Sequence, residues 1–328
     1  MRSLLSLCTL SLATSIACAQ PAPDYGFEWR TVGAAGNAPL MPGPGYNLDR
    51  PIGRVDYEFR MARTEVTNMQ YLEFLVALTA AIPSTVVDIS LTGPYINRVN
   101  RPDGYAWSLD PPLEQFGARM GFNAAAMYCN WLYNDKGTQP QAFLSGAYDM
   151  GTLFPNVNPG PVFHSPGAKF WIPSRDEWTK AMYFDPHKHG QGQPGYWMYP
   201  IASDTAPVGG TPGTPGAQTG AGIYEPQAFR FWPVGSYPNA QSPWGILDGS
   251  GGIVEWCEGS ESNMFFETLG SSNTTSNPDW HDRVDRVLWN EFRAPAAGIR
   301  IVGVVPSPAT AATVVGGALI VLCRRRKS

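Results

Sequence analysis

The chain has 328 residues, 43% of them apolar and 15% charged, which is enough apolar material for a core and too little charge for a disordered polyelectrolyte. Gly (35) and Pro (31) are well above their usual share, so long regular helices throughout, a solenoid and collagen are excluded in favour of a folded body with much ordered loop. The formal net charge is −4, yet Arg2, Arg324, Arg325, Arg326 and Lys327 all sit at the extreme ends; the body between them is acidic, carries no basic stripe or zinc-finger spacing, and makes no nucleic-acid partner.

Residues 1–19 read as an export signal. Arg2 supplies the positive start, Leu4 to Ile16 is largely apolar or small, and Ala17-Cys18-Ala19 gives a small-x-small cleavage pattern before Gln20. Residues 20–50 form an N-terminal extension rich in Gly, Pro and Asn, with a short strand near Phe27-Glu28-Trp29. Alternation over Val55-Asp56-Tyr57-Glu58-Phe59-Arg60-Met61 predicts a strand. Thr67 then caps a helix with Gln70 as reciprocal partner, and Tyr71, Leu72, Leu75 and Leu78 form its buried face. A second helix is predicted over 120–134, with Ala124, Met127, Tyr128 and Trp131 inward. Ala168 to Ile172 reads as a short strand stopped by Pro173. A third helix starts at Ser174, with Glu177 in the capping-box position and Trp178, Ala181 and Met182 inward. Composition makes 205–222 a surface loop. The segment Gly298-Ile299-Arg300-Ile301-Val302 closes a single domain over 51–303, with no internal repeat.

Residues 304–328 form a tail. Pro306-Ser307-Pro308 precedes an apolar run from Ala311 to Leu322 and then Cys323 and the basic cluster. The run is short against the roughly 20 residues that a spanning helix needs. The terminal cations would stay cytoplasmic. This layout resembles the C-terminal sorting signals called PEP-CTERM, with Ser307 standing where those have Glu. The resemblance implies an exported cell-envelope protein, held by a single-pass C-terminal membrane helix and processed by an exosortase-like protease. A plain membrane anchor is the alternative. In the body only Cys129 and Cys257 remain, to pair in an oxidising compartment or to pack as small apolar residues.

Several separated motifs point to one family. They are Glu65-Val66-Thr67-Asn68-Met69-Gln70-Tyr71, Ala126-Met127-Tyr128-Cys129-Asn130-Trp131-Leu132 and Trp171-Ile172-Pro173-Ser174-Arg175-Asp176-Glu177-Trp178. Pro233-Val234-Gly235-Ser236-Tyr237-Pro238-Asn239 follows, then Trp244 to Trp256 and finally Gly298-Ile299-Arg300. In this order they resemble the formylglycine-generating-enzyme (sulfatase-modifying factor) family. The resemblance implies an α+β, irregular, loop-rich fold related to C-type lectins.

The family's oxidases use two cysteines near the C-terminus to bind copper and activate oxygen, since soft thiolates hold Cu(I). The matching stretch here, Val287 to Arg300, contains no cysteine, which argues against copper and against cysteine-to-formylglycine oxidation. Iron-dependent relatives need a histidine-based site, and the chain has only four histidines, His164, His187, His189 and His281. Asp185, His187 and His189 could converge on a cation, although Pro186 and Gly190 favour a surface turn; iron is not expected. The resemblance does imply calcium in the loop before the Glu-Trp pair. Asp248 and Glu255 would give carboxylates, and Gly251 and Ile253 main-chain carbonyls, hard oxygen donors that suit this ion. The alternative is a buried Glu255 bonded to loop backbone. Arg300 reads as a brace for carbonyls or a carboxylate, and Arg175 as a brace with Asp176 or Glu177. Tyr196, Trp197, Tyr199 and Trp289 are candidate aromatic contacts for an extended ligand.

Together these readings give an exported, envelope-associated domain of sulfatase-modifying-factor type. It lacks the oxidase cysteines and acts as a binding module for a peptide or glycan. The alternative is a divergent metal-dependent oxidoreductase of the nonheme-iron formylglycine-generating-enzyme-like superfamily.

Overall fold

The computed structural model describes residues 23–82, 95–101, 104–151, 163–223, 232–259, 265–275, 277–286, 289–292 and 297–306. In chain order they form β1 (Trp29–Val32), β2 (Phe59–Ala62), α1 (Asn68–Ala81), β3 (Ile96–Arg101), β4 (Gly104–Leu109), α2 (Phe122–Tyr133) and α3 (Gln141–Leu144). There follow β5 (Phe170–Trp171), α4 (Arg175–Tyr183), β6 (Phe184–Asp185), β7 (Gly195–Tyr196), β8 (Glu255–Trp256), β9 (Phe265–Leu269), α5 (Pro278–His281), β10 (Trp289–Phe292) and β11 (Val302–Val304). Residues Pro23–Val305 make one compact unit.

The main sheet has the order β1-β2-β11-β5. Its pairs are antiparallel, with Trp29 opposite Ala62, and Val302 between Met61 and Trp171. The last strand of the body is thus an interior strand of this sheet. A second sheet runs β10-β9-β8, and β3-β4 and β6-β7 are two-stranded ribbons.

Local signals in the sequence explain the helices. The Thr67 hydroxyl accepts from the Gln70 N–H, and the Gln70 side chain accepts from the Thr67 N–H at 2.9 Å. Ser174 and Glu177 make the same box at α4. Tyr71, Phe74, Leu75 and Leu78 are the buried face of α1, while Leu72 is half-buried. Helix α2 is apolar nearly all round and buried from Ala124 to Leu132, as an interior helix must be. Phe74 bridges the two helices, edge-on to Tyr128 at 5.4 Å and to Trp131 at 5.8 Å.

Strand bounds move from the expected ones. β1 starts at Trp29, β2 at Phe59 and β11 at Val302. β2 is buried on both faces, so the alternation over 55–61 marks the approach to the strand more than the strand itself. Cys129 and Cys257 are both buried and unpaired.

The membrane-spanning anchor expected at 311–322 is corrected. Among the described residues no helix is long and apolar enough to cross a membrane. The longest, α1, has 14 residues, and at about 1.5 Å per residue it falls well short of a hydrocarbon core of about 30 Å. Residues 311–322 lie outside the described set, as does the signal at 1–19, and a helix over that apolar run would reach only about 18 Å. The single-pass membrane anchor, and the membrane partnership that rested on it, are withdrawn.

The capping boxes give a direct test. Replacing Ser174 with Ala should destabilise the protein by about 1 kcal/mol in urea unfolding. A loss below a few tenths of a kcal/mol would show that the α4 box carries no weight.

Candidate functional site

Three loops meet at Arg300, just before β11. The Ala62 N–H donates to the Ile301 carbonyl at 2.8 Å and Val66 to Ile299 at 2.9 Å, which fixes the chain after β2 against the closing segment. Leu247 donates to Arg63 at 2.9 Å, and Trp256 to Gly298 at 2.9 Å. These links bring Glu65, Asp248, Glu255 and Arg300 together from distant parts of the sequence.

Arg300 is wholly buried and Glu255 is 1% exposed. Arg300 Nη2 donates to Glu255 Oε1 at 2.6 Å, and Nε donates to Oε2 at 3.1 Å. Trp178 Nε1 donates to the same Oε2 at 2.8 Å. Two further guanidinium hydrogens reach the carbonyls of Ala62 (3.1 Å) and Leu247 (3.0 Å). Desolvation works against this cation, but the Glu255 and Glu65 charges and the Glu255 hydrogen bonds raise the Arg300 pKa above its ordinary value. The expected bracing role of Arg300 is what the geometry provides.

Beside this pair lies a second, less satisfied group. Glu65 Oε1 accepts from the Ile253 N–H at 3.4 Å, while Oε2 is buried and meets no donor. Asp248 Oδ2 accepts from the Gly235 N–H at 2.6 Å. The Glu65 and Asp248 carboxyls are close enough to share a proton. Burial first, and then the Asp248 charge, push the Glu65 pKa well above the carboxylate range, with Arg300 opposing. Burial also raises Asp248, against the Gly235 N–H and Arg300; the residue as a whole is half-buried. Two backbone features permit the pair. Asp248 adopts a left-handed φ of 58°. Gly252 has φ +66°, and a Cβ there would lie 2.5 Å from Glu65 Oε1, so glycine is required for this close approach. Both carboxyls line a pocket whose walls include Trp232, Pro233, Tyr237 and Ile253. Phe116 packs behind Ile253.

Of the expected calcium donors, Glu255 is already engaged. Both Glu255 oxygens are held by Arg300 and Trp178. A cation on Glu255 would sit beside a buried guanidinium. Gly251 uses its N–H on Ser271 Oγ at 3.0 Å and Ile253 uses its N–H on Glu65, so the loop is organised around these partners. Asp185 accepts from His187 N–H (2.7 Å) and Trp197 Nε1 (3.1 Å), and His187 Nδ1 accepts from Gly192 N–H (3.0 Å); these residues build a turn. Among the described residues, no three His, Cys, Asp or Glu side chains gather as a metal-binding group. Arg175 pairs with Asp49 at 2.8 Å rather than with Asp176 or Glu177. Tyr196 donates to the Ala38 and Gly53 carbonyls, Trp197 to Asp185 and Tyr199 to the Asp279 carbonyl, so all three brace loops. The side chain of Trp289 lies outside the described set.

A third polar cluster has no counterpart in the sequence reading. His164 Nδ1 lies 2.8 Å from Glu258 Oε2, and the ring stacks on Trp171 at 4.8 Å. Glu258 Oε1 accepts from the Tyr148 hydroxyl and from the His164 N–H at 2.8 Å. The Tyr148 hydroxyl in turn accepts from the Ile172 N–H at 2.9 Å. Burial dominates at Glu258 and raises it; at His164 burial is outweighed by the Glu258 hydrogen bond and charge, and its pKa rises. A raised histidine pKa contributes stability below the unfolded value of about 6.5 and loses it as pH climbs through the folded value.

Two measurements follow from these contacts. In Glu255→Gln, Arg300 stays buried without its counter-charge, and stability should fall by about 3 kcal/mol or more in urea unfolding; a loss under 1 kcal/mol would contradict the central role of the pair. By NMR, His164 should titrate above about 6.5 in the unaltered protein and markedly lower in Glu258→Gln, where the Glu177 charge is left as the opponent of desolvation. An unchanged midpoint would refute the pairing.

A family model described as Sulfatase-modifying factor enzyme 1-like domain matches residues 49–276. No curated protein matches the chain. Among solved structures, the chain is similar to the crystal structure of CarF, with 18% identity, 86% of this chain and 99% of that chain covered, and a TM-score of 0.50. Treponema denticola variable protein 1 shows 14% identity, 84% and 95% coverage and a TM-score of 0.49. PvdO from Pseudomonas aeruginosa shows 14% identity, 87% and 99% coverage and a TM-score of 0.46. At such identities the CarF likeness speaks for the fold alone, and the two weaker ones carry no argument. The family match is of another kind: it takes in well over half of the chain and includes Glu65, Asp248 and Glu255. This chain belongs to the sulfatase-modifying factor enzyme 1-like family.

Proposed function

We propose that the protein is an exported binding module that uses this fold without oxidising cysteine to formylglycine. The observation that carries the reading is the state of its thiols. The stretch 287–300, where the family's oxidases hold their cysteine pair, has none. The two cysteines of the body are buried and unpaired, and burial pushes both thiols well above their ordinary pKa. A thiolate pair for Cu(I) therefore has no source in the body of this chain. Calcium on Glu255 has no place in the reading, because Arg300 already holds that carboxylate.

The ligand site in this reading is the pocket above Glu65 and Asp248, walled by Trp232, Tyr237 and Ile253. Aromatic walls with a few convergent polar groups are the usual makeup of a ligand pocket. A peptide or a glycan is the expected ligand class. Export rests on the sequence of residues 1–19, and kinship with C-type lectins on the family resemblance alone. The resemblance of the tail to a sorting signal rests on its sequence alone.

The test uses the full chain, a cysteine-containing peptide, Cu(I) and oxygen. The peptide cysteine should keep its mass. Loss of mass to an aldehyde, above a protein-free control, would overturn the reading.

A further inference from the structure

We propose that the pocket above Glu65 and Asp248 binds one primary ammonium group carried on an unbranched chain, as a lysyl side chain presents it. This names the ligand chemistry of the binding-module reading and rests on it. The charge count is the starting point. Glu65, Asp248 and Glu255 surround Arg300, and Arg300 is committed to Glu255. Neither Glu65 nor Asp248 forms an ion pair among the described residues. A shared proton can offset part of their charge in the free protein, and a cationic ligand would take its place.

Geometry selects the kind of cation. Glu65 is 1% exposed, and its Oε2 has no donor although the residue lines the pocket. Such an acceptor costs free energy until a donor reaches it. The Asp248 carboxyl lies alongside it, and Asp248 lines the same pocket. The space between the walls is about that of one water-sized group, which admits an ammonium head but no sugar ring. The walls above are Trp232, Pro233, Tyr237 and Ile253. Calcium asks for roughly six to eight oxygen ligands, and these walls offer carbon and π-faces instead. Aromatic faces and aliphatic carbon suit the methylene stem and charge of an alkylammonium.

The experiment is a calorimetric titration of the full-length protein with Nα-acetyl-lysine amide, its ammonium-free analogue Nα-acetyl-norleucine amide, n-butylammonium and calcium chloride. The lysine compound should bind and the norleucine compound should not. Glu65→Gln keeps the shape of the side chain and should weaken lysine binding at least tenfold. Asp248→Asn is the second variant, because asparagine accepts the left-handed backbone found there, and it should weaken binding as well. Tighter binding of the lysine compound than of n-butylammonium assigns a peptide source; equal binding assigns a free amine, and both keep the ammonium site. Failure of the lysine compound to bind, equal binding of lysine and norleucine, or unchanged affinity in both variants overturns the proposal. So does a calcium response that disappears in Glu65→Gln. None of these outcomes bears on aldehyde formation, so the non-oxidase reading stands or falls separately.

Discussion

The Arg300–Glu255 pair is the constraint around which the rest is arranged. Both residues are buried, so neither charge can be left to water, and each fixes the loop that carries it. Arg300 also ties the end of β2 through Ala62 and the 247 loop through its carbonyl. Glu255 ties the indole of α4. A body so rich in loop has few ladders to set its geometry, and a charge that must be satisfied from several sides does that work instead. Replacement of such pairs by apolar residues can be neutral or better in other proteins; here the guanidinium is also the hydrogen-bond partner of two loop carbonyls, which an apolar side chain would leave unmet.

The pair's completeness throws its neighbours into relief. Glu65 and Asp248 share the same surroundings, yet among the described residues Glu65 Oε2 meets no N–H donor and neither carboxyl forms an ion pair. Natural cores rarely keep a buried polar atom unmet, and exceptions tend to mark function. Gly252 belongs to this reading, because any side chain there would collide with Glu65. The loop is shaped to admit that carboxylate.

Local features were legible in the sequence where a short-range rule governs them. Thr67 with Gln70 and Ser174 with Glu177 announce helix starts, because a capping box is a contact between residues three apart. The family motifs placed Glu255 and Arg300 near the heart of the fold, and the alternative of a buried Glu255 comes closest to what is seen, with Arg300 and Trp178 as the partners in place of loop backbone. The calcium donors were carried over from the family resemblance, and a resemblance cannot show that Arg300, 45 residues further on, holds the Glu255 carboxylate. Glu65 stood in a quoted motif without a role, since its partner Asp248 is far away in sequence. His164 and Glu258 offered no signal at all, as nothing local links two residues 94 apart. Strand bounds slipped for a related reason: β2 is covered on both faces, and period-two alternation belongs to strands with one face in water.

The interior place of β11 has a kinetic consequence. Its partners on either side, β2 and β5, cannot join until Val302–Val304 arrive between them, and the central guanidinium comes only two residues earlier. A growing chain therefore lacks the keystone of its sheet and of its charge network until nearly the whole body has been synthesised. Such long-range closure is slow, and partial chains keep apolar surface and strand edges open in the meantime. Folding is deferred to the end of the chain, which leaves the polypeptide threadable through a narrow pore for as long as its C-terminal segment is still to come.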